Sequence, residues 1–462
     1  MFSPGTYISR RNQLKEKMQS GVVLFLGHAQ SPINFPDAAY PFRQDSSFLY
    51  FWGLNFPGLA GIIDLDSGQE TIFGTDLTTE DMLWNGDQPT LAESCRRCGV
   101  DQCLAYEKLG DELQRAMARG RKIHYLPQYR SANLLKVFEL LGIHPNLAAA
   151  HVSVPLIQAV VAIRSLKTDE EVQQIEEALD ITFEMQTMAM RLSKPGLLEK
   201  EVAAQVSAIA NAHHGITFMI LTTNGHIFHN PDQNNPMADG QMVIHDSGAD
   251  SPLFYATDIT RTFPVGGRFS QQQRDIYSLV LDAQQKAIDA VRPGVEFRQV
   301  HLLASRVLAE GMQSLGLMKG DVDAAVAQGA HALFFPCGLG HMMGLDVHDM
   351  EGLGEDHVGY NDTIKRSDQF GTDRLRLAKP LAPGHVITVE PGIYFNPNLI
   401  AQWQAEARFS EFIDYPEVGK FVGFTGIRLE DDILVTNNGN RLLGKLIPKS
   451  IEAVEDLSSQ SL

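Results

Sequence analysis

The segment MVIHDSGADSPLFYATDITRTFPV, residues 242–265, carries the strongest structural signal in this chain. Its apolar run at 242–246 is followed by turn-forming residues at 247–252 and by a second run at 253–265, a pattern that predicts a β-hairpin. Asp246 ends the first run, and Asp258 lies within the second. Because aspartate is depleted in strands and a buried carboxylate is costly to desolvate, both positions indicate a functional site.

Further carboxylates occupy predicted strands nearer the C-terminus. Glu390 ends an apolar run, and Glu430 and Asp432 alternate with Arg428 on one face of the predicted strand 426–436. Taken singly, such an acid is more often an edge residue, a turn residue or the partner of an arginine. Several of them with a histidine nearby are typical of a hard divalent-metal site. Oxygen ligands suit Mn or Mg there, and one imidazole extends the range to Fe, Co or Zn.

Two histidines lie in the glycine-rich stretch GLGHMMGLDVHD, residues 338–349. Glycine lets the backbone approach its neighbours closely, which is useful around a site. A single histidine is more often a satisfied core or surface residue. For the pair His341 and His348, packing and function are therefore about equally good explanations.

The composition of the 462 residues is that of an ordinary globular chain, long enough for two domains, with 44% hydrophobic and 20% charged residues and a mean hydropathy of −0.13. The net charge of −18 argues against nucleic-acid binding, because such proteins concentrate Lys and Arg on a phosphate-facing surface. The longest uncharged stretch, residues 144–163, is interrupted by Pro145 and Pro155 and predicts no membrane span. Since the N-terminus lacks the apolar core of a signal peptide, we expect a cytoplasmic protein.

Periodicity along the chain predicts strands mixed with helices, and therefore an α/β fold class. Three segments of the N-terminal part have the pattern of strands: 21–27, 47–52 and 60–65. Thr168 and Glu171 form a capping box that begins a helix, and a second helix begins at Ser270. A domain boundary is expected just before this first capping box.

Cys95, Cys98 and Cys103 form a C-x2-C-x4-C cluster. A structural zinc would need a fourth Cys or His, and the next candidate, His124, is distant in sequence. Three reduced thiols are the favoured interpretation, and a zinc knuckle is the minor alternative.

Four sets of residues, in this order, resemble the motifs of the aminopeptidase P and prolidase family. They are DSG with DITRTFP (246–248 and 258–264), GLGH with LDVHD (338–341 and 345–349), TVEPGIY (388–394) and GIRLEDD (426–432). The segment FRQDSSFLYFWGL (42–54) resembles the strand of the creatinase-like domain that precedes the catalytic domain in this family. The resemblance implies an N-terminal creatinase-like α/β domain over residues 1–165. It implies a C-terminal metallopeptidase domain of the pita-bread fold, an α+β architecture, over residues 166–462.

The same resemblance implies a centre with two divalent metal ions. Asp246 would hold one metal, His341 and Glu390 would hold the other, and Asp258 and Glu430 would bridge the two. Four carboxylates and a neutral imidazole match the charge of two divalent cations, which explains how like-charged acids can converge. Mn(II) is the expected metal, with Co or Zn as alternatives.

Roles in the reaction are also implied by the resemblance. Glu390 would serve as a proton shuttle, while His348 and His229 would contact the substrate carbonyl. His226 is a rival for the place of His229, because the motif around them is short. Arg428 would orient the bridging carboxylates and contribute to substrate binding, although an arginine on a strand is more often a plain ion-pair partner.

Two departures from the family pattern are visible. Cys337 stands where the family usually has a histidine in the substrate pocket, so activity is expected to be weaker or altered, unless the thiol merely fills a repacked wall. The spacing from Asp246 to Asp258 is one residue longer than expected, and the turn at Ser251 and Pro252 is the expected place for the extra residue. Neither change removes an implied metal ligand.

The function implied is a dinuclear-metal aminopeptidase that hydrolyses the bond between an N-terminal residue and a following proline. A prolidase, acting on Xaa-Pro dipeptides, is the nearest alternative. A non-catalytic binding protein on the same fold is less favoured, because all five ligand positions are retained. The expected partners are peptides with proline at the second position and further copies of the chain in a dimer or tetramer. Nucleic acid and membranes are not expected partners.

Overall fold

The computed structural model describes residues 1–229 and 231–460. The chain forms two units. The first comprises Met1–Arg164 together with Met350–His357, and the second comprises Ser165–Asp349 and the chain from Val358 onward. Helices and strands are mixed in both, which confirms the predicted α/β class.

The first unit is built around a five-stranded sheet. Its elements are α1 (Pro4–Lys17), β1 (Val22–Leu26), β2 (Pro32–Phe35), β3 (Ala38–Ala39), α2 (Ser46–Trp52), β4 (Ala60–Asp64), β5 (Glu70–Gly74), α3 (Thr79–Asn85), α4 (Leu91–Arg97), β6 (Gln102–Ala105), α5 (Lys108–Ala118), β7 (Ile123–Tyr125), α6 (Ser131–Leu141), α7 (Pro145–Ala148) and α8 (Val154–Arg164). The sheet order is β6-β5-β4-β1-β7, with β1 antiparallel to β4 and parallel to β7. The strands predicted at 21–27 and 60–65 are therefore confirmed as β1 and β4.

The prediction of a strand at 47–52 is wrong, because these residues form helix α2. The Asp45 side chain caps the helix by accepting a hydrogen bond from the Phe48 N–H, and Gly53 ends it in the left-handed region at φ 68°. Every side chain of α2 is buried. A run that is apolar on all sides has no periodicity to separate helix from strand, so only the cap residues could have signalled the helix.

Among the described residues, no single helix is long and apolar enough to cross a membrane. The helical segments Pro145–His151 and Val154–Arg164 reach the required length and composition only when taken together, and they meet at a bend of 67°.

The second unit contains three small sheets and the longest helices. The elements after Ser165 are α9 (Asp169–Leu192), α10 (Glu199–Asn211), β8 (Ile216–Thr222), β9 (Met242–Ala249), β10 (Ile259–Pro264), α11 (Gln271–Ala290), α12 (Phe297–Ser314), α13 (Val322–Gln328), α14 (Glu355–Val358), β11 (Val386–Val389), β12 (Gly392–Tyr394), α15 (Pro397–Ala405), α16 (Tyr415–Val418), β13 (Gly426–Arg428), β14 (Asp431–Val435), β15 (Asn440–Leu442) and α17 (Ile451–Ser459). The capping boxes predicted at Thr168 and Ser270 begin α9 and α11 and are confirmed.

The predicted hairpin is confirmed as β9 and β10, an antiparallel pair in which Asp246 lies opposite Thr260. All side chains of both strands are buried. Helix α9 supplies polar groups to this pair, since Gln186 Nε2 donates to the Ile259 carbonyl oxygen at 2.7 Å. A side chain of the helix thus supplies a hydrogen bond to a buried backbone carbonyl group of the strand pair.

The continuous strand predicted at 426–436 is divided in two. Strand β13 pairs with β12, whereas β14 pairs with β11 and β15 in a different sheet. Glu430 lies in the break, where its backbone N–H donates to the Thr260 carbonyl oxygen at 3.1 Å. Charged and apolar residues of 426–436 are nearly all buried in both halves, so their pattern does not show this change of partner.

Candidate metal centre

The structure brings all five implied metal ligands into one cluster. Three overlapping groups have ligand atoms within 4.8 Å of one another: Asp246 with Asp258 and Glu430, His341 with Glu390 and Glu430, and Asp258 with His341 and His348. Within residues 1–229 and 231–460, these are the groups of three or more side chains able to hold a metal ion. The three cysteines near residue 98 are outside them.

The cluster is assembled from the ends and interruptions of strands. Asp246 lies on β9, Asp258 directly precedes β10, Glu390 directly follows β11, and Glu430 lies between β13 and β14. Asp246 is paired on both sides, whereas at the other three positions the ladder does not hold the backbone completely, so a side chain can be aimed away from the sheet. Three of these four acids therefore lie at a strand end or in the break between two strands.

His341 is held against the end of β11 by its backbone. Its N–H donates to Thr388 Oγ1 at 3.1 Å, and the Thr388 N–H donates to the His341 carbonyl oxygen at 3.0 Å. A Cβ at Gly340 would collide with the Thr388 backbone, which explains the glycine before the histidine. His341 Nε2 then lies 3.2 Å from Asp258 Oδ2 and 3.5 Å from Glu390 Oε1.

Threonine hydroxyls and one guanidinium orient the carboxylates. Thr260 Oγ1 donates to Glu430 Oε2 at 2.5 Å and accepts from Arg428 Nε at 2.9 Å. The Arg428 guanidinium also donates to Asp246 Oδ2. These contacts fix which carboxylate oxygens remain for a cation.

Burial and mutual repulsion together disfavour the ionised forms of the acids in the cluster. Burial raises the pKa of Asp258 well above its ordinary value, and the charges of Glu430 and Asp246 raise it further. The pKa of Glu430 is raised well above its ordinary value by the same causes, burial first and then the charges of Glu390 and Asp246. Burial also raises the pKa of Glu390, against the opposing charge of Arg428. Cations held among these acids would favour their ionised forms.

The donor set fits divalent cations. One carboxylate oxygen in each of three ligands is buried without a hydrogen-bond partner in the described part of the chain: Asp246 Oδ1, Asp258 Oδ1 and Glu430 Oε1. Burial lowers the pKa of His341 well below its ordinary value, so the imidazole is neutral and able to ligate. Oxygen donors with one imidazole suit first-row divalent metals.

Of the residues predicted to contact substrate, His348 and Arg428 belong to the cluster and His229 borders it. The His348 ring lies 4.3 Å from the His341 ring. Burial lowers the pKa of His229, and the charges of Arg376, His348 and Arg428 lower it further, which places this histidine in the field of the site. The pKa of the rival His226 is lowered by burial alone.

Arg376 was missed by sequence reasoning. Its positive charge acts on the pKa values of His229, Glu390 and Cys337, so the guanidinium lies near the cluster. No motif marks it, since it is one arginine in an unremarkable stretch. Thr260 and Thr388 were also missed, although each is two residues from a predicted ligand.

The two departures from the family pattern are both accommodated. Burial raises the pKa of the Cys337 thiol to about 12, with the charge of Glu390 acting in the same direction, so this thiol stays protonated at neutral pH. Between β9 and β10, Asp250 bridges to Ala256, and Phe254 takes a left-handed φ of 66°. Asp246 and Asp258 still meet at the cluster.

Comparison with known proteins gives a consistent result. Residues 173–437 match the model of metallopeptidase family M24, and residues 7–124 match that of the aminopeptidase P N-terminal domain. The chain is 33% identical to an Xaa-Pro aminopeptidase of Escherichia coli over 97% of this chain and 96% of the relative. It is 29% identical to a human Xaa-Pro dipeptidase over 95% of this chain and 89% of the relative. A solved structure of zinc-substituted E. coli aminopeptidase P with product superposes with a TM-score of 0.80 at 29% identity, covering 99% of this chain and 98% of that chain.

Proposed function

We propose, from the premise that this chain belongs to metallopeptidase family M24, that it is an Xaa-Pro aminopeptidase, which removes an N-terminal residue that precedes proline. The observation that carries the proposal is the convergence of Asp246, Asp258, His341, Glu390 and Glu430 on one cluster in a chain similar to such enzymes along its whole length. The chain is accordingly a hydrolase of the peptidase class.

The five ligands would hold two divalent cations, and we propose Mn(II) as their identity. Four of the five are carboxylates, and hard oxygen donors favour Mn over softer metals, while the single imidazole also admits Co or Zn. When bound, such cations supply Lewis-acid chemistry, which lowers the pKa of water and polarises a carbonyl group.

Glu390 is the proposed proton shuttle. Its Oε1 accepts a hydrogen bond from Thr388 Oγ1 at 3.2 Å, which orients the carboxylate. The bond before proline is a tertiary amide, which offers no N–H for an enzyme to bind. As in any amide hydrolysis, its nitrogen must gain a proton to leave, because it would otherwise depart as a strongly basic anion. Glu390 accepts a proton from the attacking water and delivers it to the proline nitrogen.

His348 and His229 act on the carbonyl side. Both rings border the carboxylate cluster, and a ring N–H directed at the carbonyl oxygen stabilises the negative charge that develops there. Arg428 is 7% exposed and engaged with Asp246 and Thr260. These contacts favour a role of Arg428 in orienting the carboxylates over a role in direct substrate binding.

An Xaa-Pro dipeptidase is the second candidate, favoured by the charge of Arg376. A guanidinium near the cluster is suited to a carboxylate, and the free carboxylate of an Xaa-Pro dipeptide lies close to the scissile nitrogen. The similarity to a human Xaa-Pro dipeptidase is consistent with this alternative.

A panel of peptides of increasing length separates the two candidates. Metal-free protein is loaded with Mn, Co or Zn, and hydrolysis of an Arg-Pro-Pro-type peptide is compared with that of the dipeptide Gly-Pro. Cleavage of the longer peptides supports the aminopeptidase, and cleavage of the dipeptide alone overturns it. Arg376→Gln and the control Arg374→Gln, at an exposed neighbouring arginine, form a matched pair of variants. If the chain is a dipeptidase, Arg376→Gln should lose cleavage of the dipeptide and Arg374→Gln should keep it.

Two further proposals concern where the chain works and how it assembles. We propose that it works in the cytoplasm and that it assembles as a dimer or tetramer. Light scattering of the purified protein tests the assembly, and a monomeric mass at micromolar concentration would overturn it. Absence of bound divalent metal together with absence of activity after Mn addition would instead favour a non-catalytic binding protein.

A further inference from the structure

A buried ion-pair network lies directly behind Glu430. The Arg261 guanidinium is fully buried, and its Nη1 donates to the carbonyl oxygens of Glu430 at 2.7 Å and Thr260 at 3.0 Å. Its Nη2 donates to Asp431 Oδ1 at 2.6 Å and to the Ile447 carbonyl oxygen at 3.2 Å. One side chain therefore ties β10 to the break between β13 and β14.

The network continues from Asp431 to the segment that carries Glu390. Asp431 Oδ2 accepts from Lys449 Nζ at 2.6 Å and from Gln284 Nε2 at 3.1 Å. Gln284 Nε2 also lies 3.3 Å from the carbonyl oxygen of Val389, the residue before Glu390. Asp431 and Val389 are themselves paired across β14 and β11. The backbones next to two of the implied ligands are thus fixed by the same group of polar side chains.

The position of Glu430 explains why such a network is needed. In the break between two strands the ladder does not hold its carbonyl group, and a buried carbonyl group requires a donor. The side chain of Glu430 is also repelled by Asp246 and Glu390. Without an anchored backbone, this repulsion would turn the carboxylate away from the cluster.

Burial of an ion pair does not by itself account for the network. Desolvation offsets much of the attraction between buried charges, so such pairs contribute little net stability compared with apolar residues of the same size. What Arg261 provides beyond stability is geometry, because the two terminal nitrogens of its rigid fork reach four acceptors at once, which the single nitrogen of a lysine with its three donors cannot do. We propose that Arg261, Asp431 and Gln284 are positioning residues that hold Glu430 and Glu390 in the arrangement required by a pair of cations. This inference rests on the proposed function.

Metal affinity tests the proposal independently of turnover. Mn²⁺ binding to the purified full chain is measured by competition with a fluorescent chelator, and the melting temperature is measured with and without Mn²⁺. We expect Arg261→Lys to bind Mn²⁺ about 10–100-fold more weakly, the range for groups that orient metal ligands. The stabilisation produced by Mn²⁺ should shrink, and kcat should fall with KM nearly unchanged and recover at high Mn²⁺.

Gln284→Met serves as a second variant if Arg261→Lys does not fold, because it keeps the side-chain length and removes only the amide. It should weaken Mn²⁺ binding in the same direction by a smaller factor. Glu455→Gln is the matched control, since Glu455 is likewise a buried carboxylate that accepts from two arginines, Arg268 and Arg274, outside the cluster. It should lower the melting temperature and leave Mn²⁺ affinity unchanged.

Unchanged Mn²⁺ affinity in both Arg261→Lys and Gln284→Met would overturn the positioning role. An equal loss of affinity in Glu455→Gln would also overturn it, because the effect would then be one of general stability. If the wild-type chain neither binds Mn²⁺ nor cleaves Xaa-Pro peptides, the proposed function falls and this inference falls with it. If the wild-type chain binds Mn²⁺ and cleaves Xaa-Pro peptides, and the variants bind Mn²⁺ as tightly as the wild type does, the inference fails and the proposed function stands.

Discussion

The carboxylate of Asp432 accepts a hydrogen bond from the backbone N–H of Asp258 at 3.2 Å, although 174 positions separate them in the chain. Asp432 is completely buried and stands outside the groups that could hold a metal ion. Its contact instead fixes the backbone of a residue that is implied to bridge two metals. The position of Asp258 is therefore set by β14 as well as by its own hairpin.

Substitution at Asp432 should affect metal binding through this one hydrogen bond. Asp432→Ala removes the acceptor, and we expect Mn²⁺ affinity to fall about 10-fold or more, in the range for groups that orient ligands. Asp432→Asn keeps an acceptor oxygen and should retain most of the affinity. Equal affinities of the alanine variant and the wild type in chelator competition would contradict this prediction.

Thr260 offers a sharper test of carboxylate orientation. Its hydroxyl contacts Glu430 and Arg428 together, so Thr260→Val, which keeps the shape, leaves both charged groups without that partner. Hydrogen bonds to charged groups contribute about 1.5–3 kcal/mol, which corresponds to a loss of kcat of roughly 10–100-fold. Thr260→Ser retains the hydroxyl and is the control. The same loss in the serine variant would show that packing, and not the hydroxyl, is responsible.

Asp258→Asn should separate stability from activity. Because the carboxylates repel one another when no cation is bound, removal of one charge should raise the melting temperature of the metal-free protein by a few degrees while activity is lost. Calorimetry in the presence of EDTA measures the first effect, and peptide hydrolysis with added Mn²⁺ measures the second. A lower melting temperature of the metal-free variant would show that Asp258 also stabilises the empty site.

Two buried histidines outside the centre should make the fold sensitive to acid. His301 and His331 have ring nitrogens without hydrogen-bond partners in the described chain. Burial lowers the pKa of His301 to about 3 and that of His331 to about 4. As the pH falls below about 6.5, the two histidines become protonated in the unfolded chain but stay neutral in the folded chain. The free energy of unfolding therefore decreases with falling pH until these lowered pKa values are reached.

His301→Leu and His331→Leu should each reduce this dependence on pH. At pH 5 each histidine costs about 2 kcal/mol by proton linkage, and a leucine removes that cost. Urea unfolding at pH 8 and at pH 5 is compared for each variant and the wild type, with pH 8 as the control for changes in packing. The free energy of unfolding should fall less between pH 8 and pH 5 in the variants than in the wild type. If it falls by the same amount in both, other groups are responsible for the acid sensitivity.

Local patterns in the sequence were sufficient for much of the second unit. The hairpin of β9 and β10 and the helices α9 and α11 were predicted, because alternation and capping depend on neighbouring residues. The helix α2 and the division of strand 426–436 were not. Every side chain of α2 is buried, and the charged and apolar side chains of 426–436 are nearly all buried as well. Neither run therefore shows which face meets which partner.

The sequence alone determined that several acids and two histidines lie in segments expected to be buried, where desolvation of a charged group is costly. It also determined which family this pattern of residues resembles. Both depend on residue type and order. Only the tertiary structure decided how these residues meet: Asp432 behind Asp258, Thr260 between Glu430 and Arg428, Arg261 at the break beside Glu430, and Arg376 near the cluster. Such contacts join positions far apart in the chain, and their strength depends on distance and burial, which residue order does not contain.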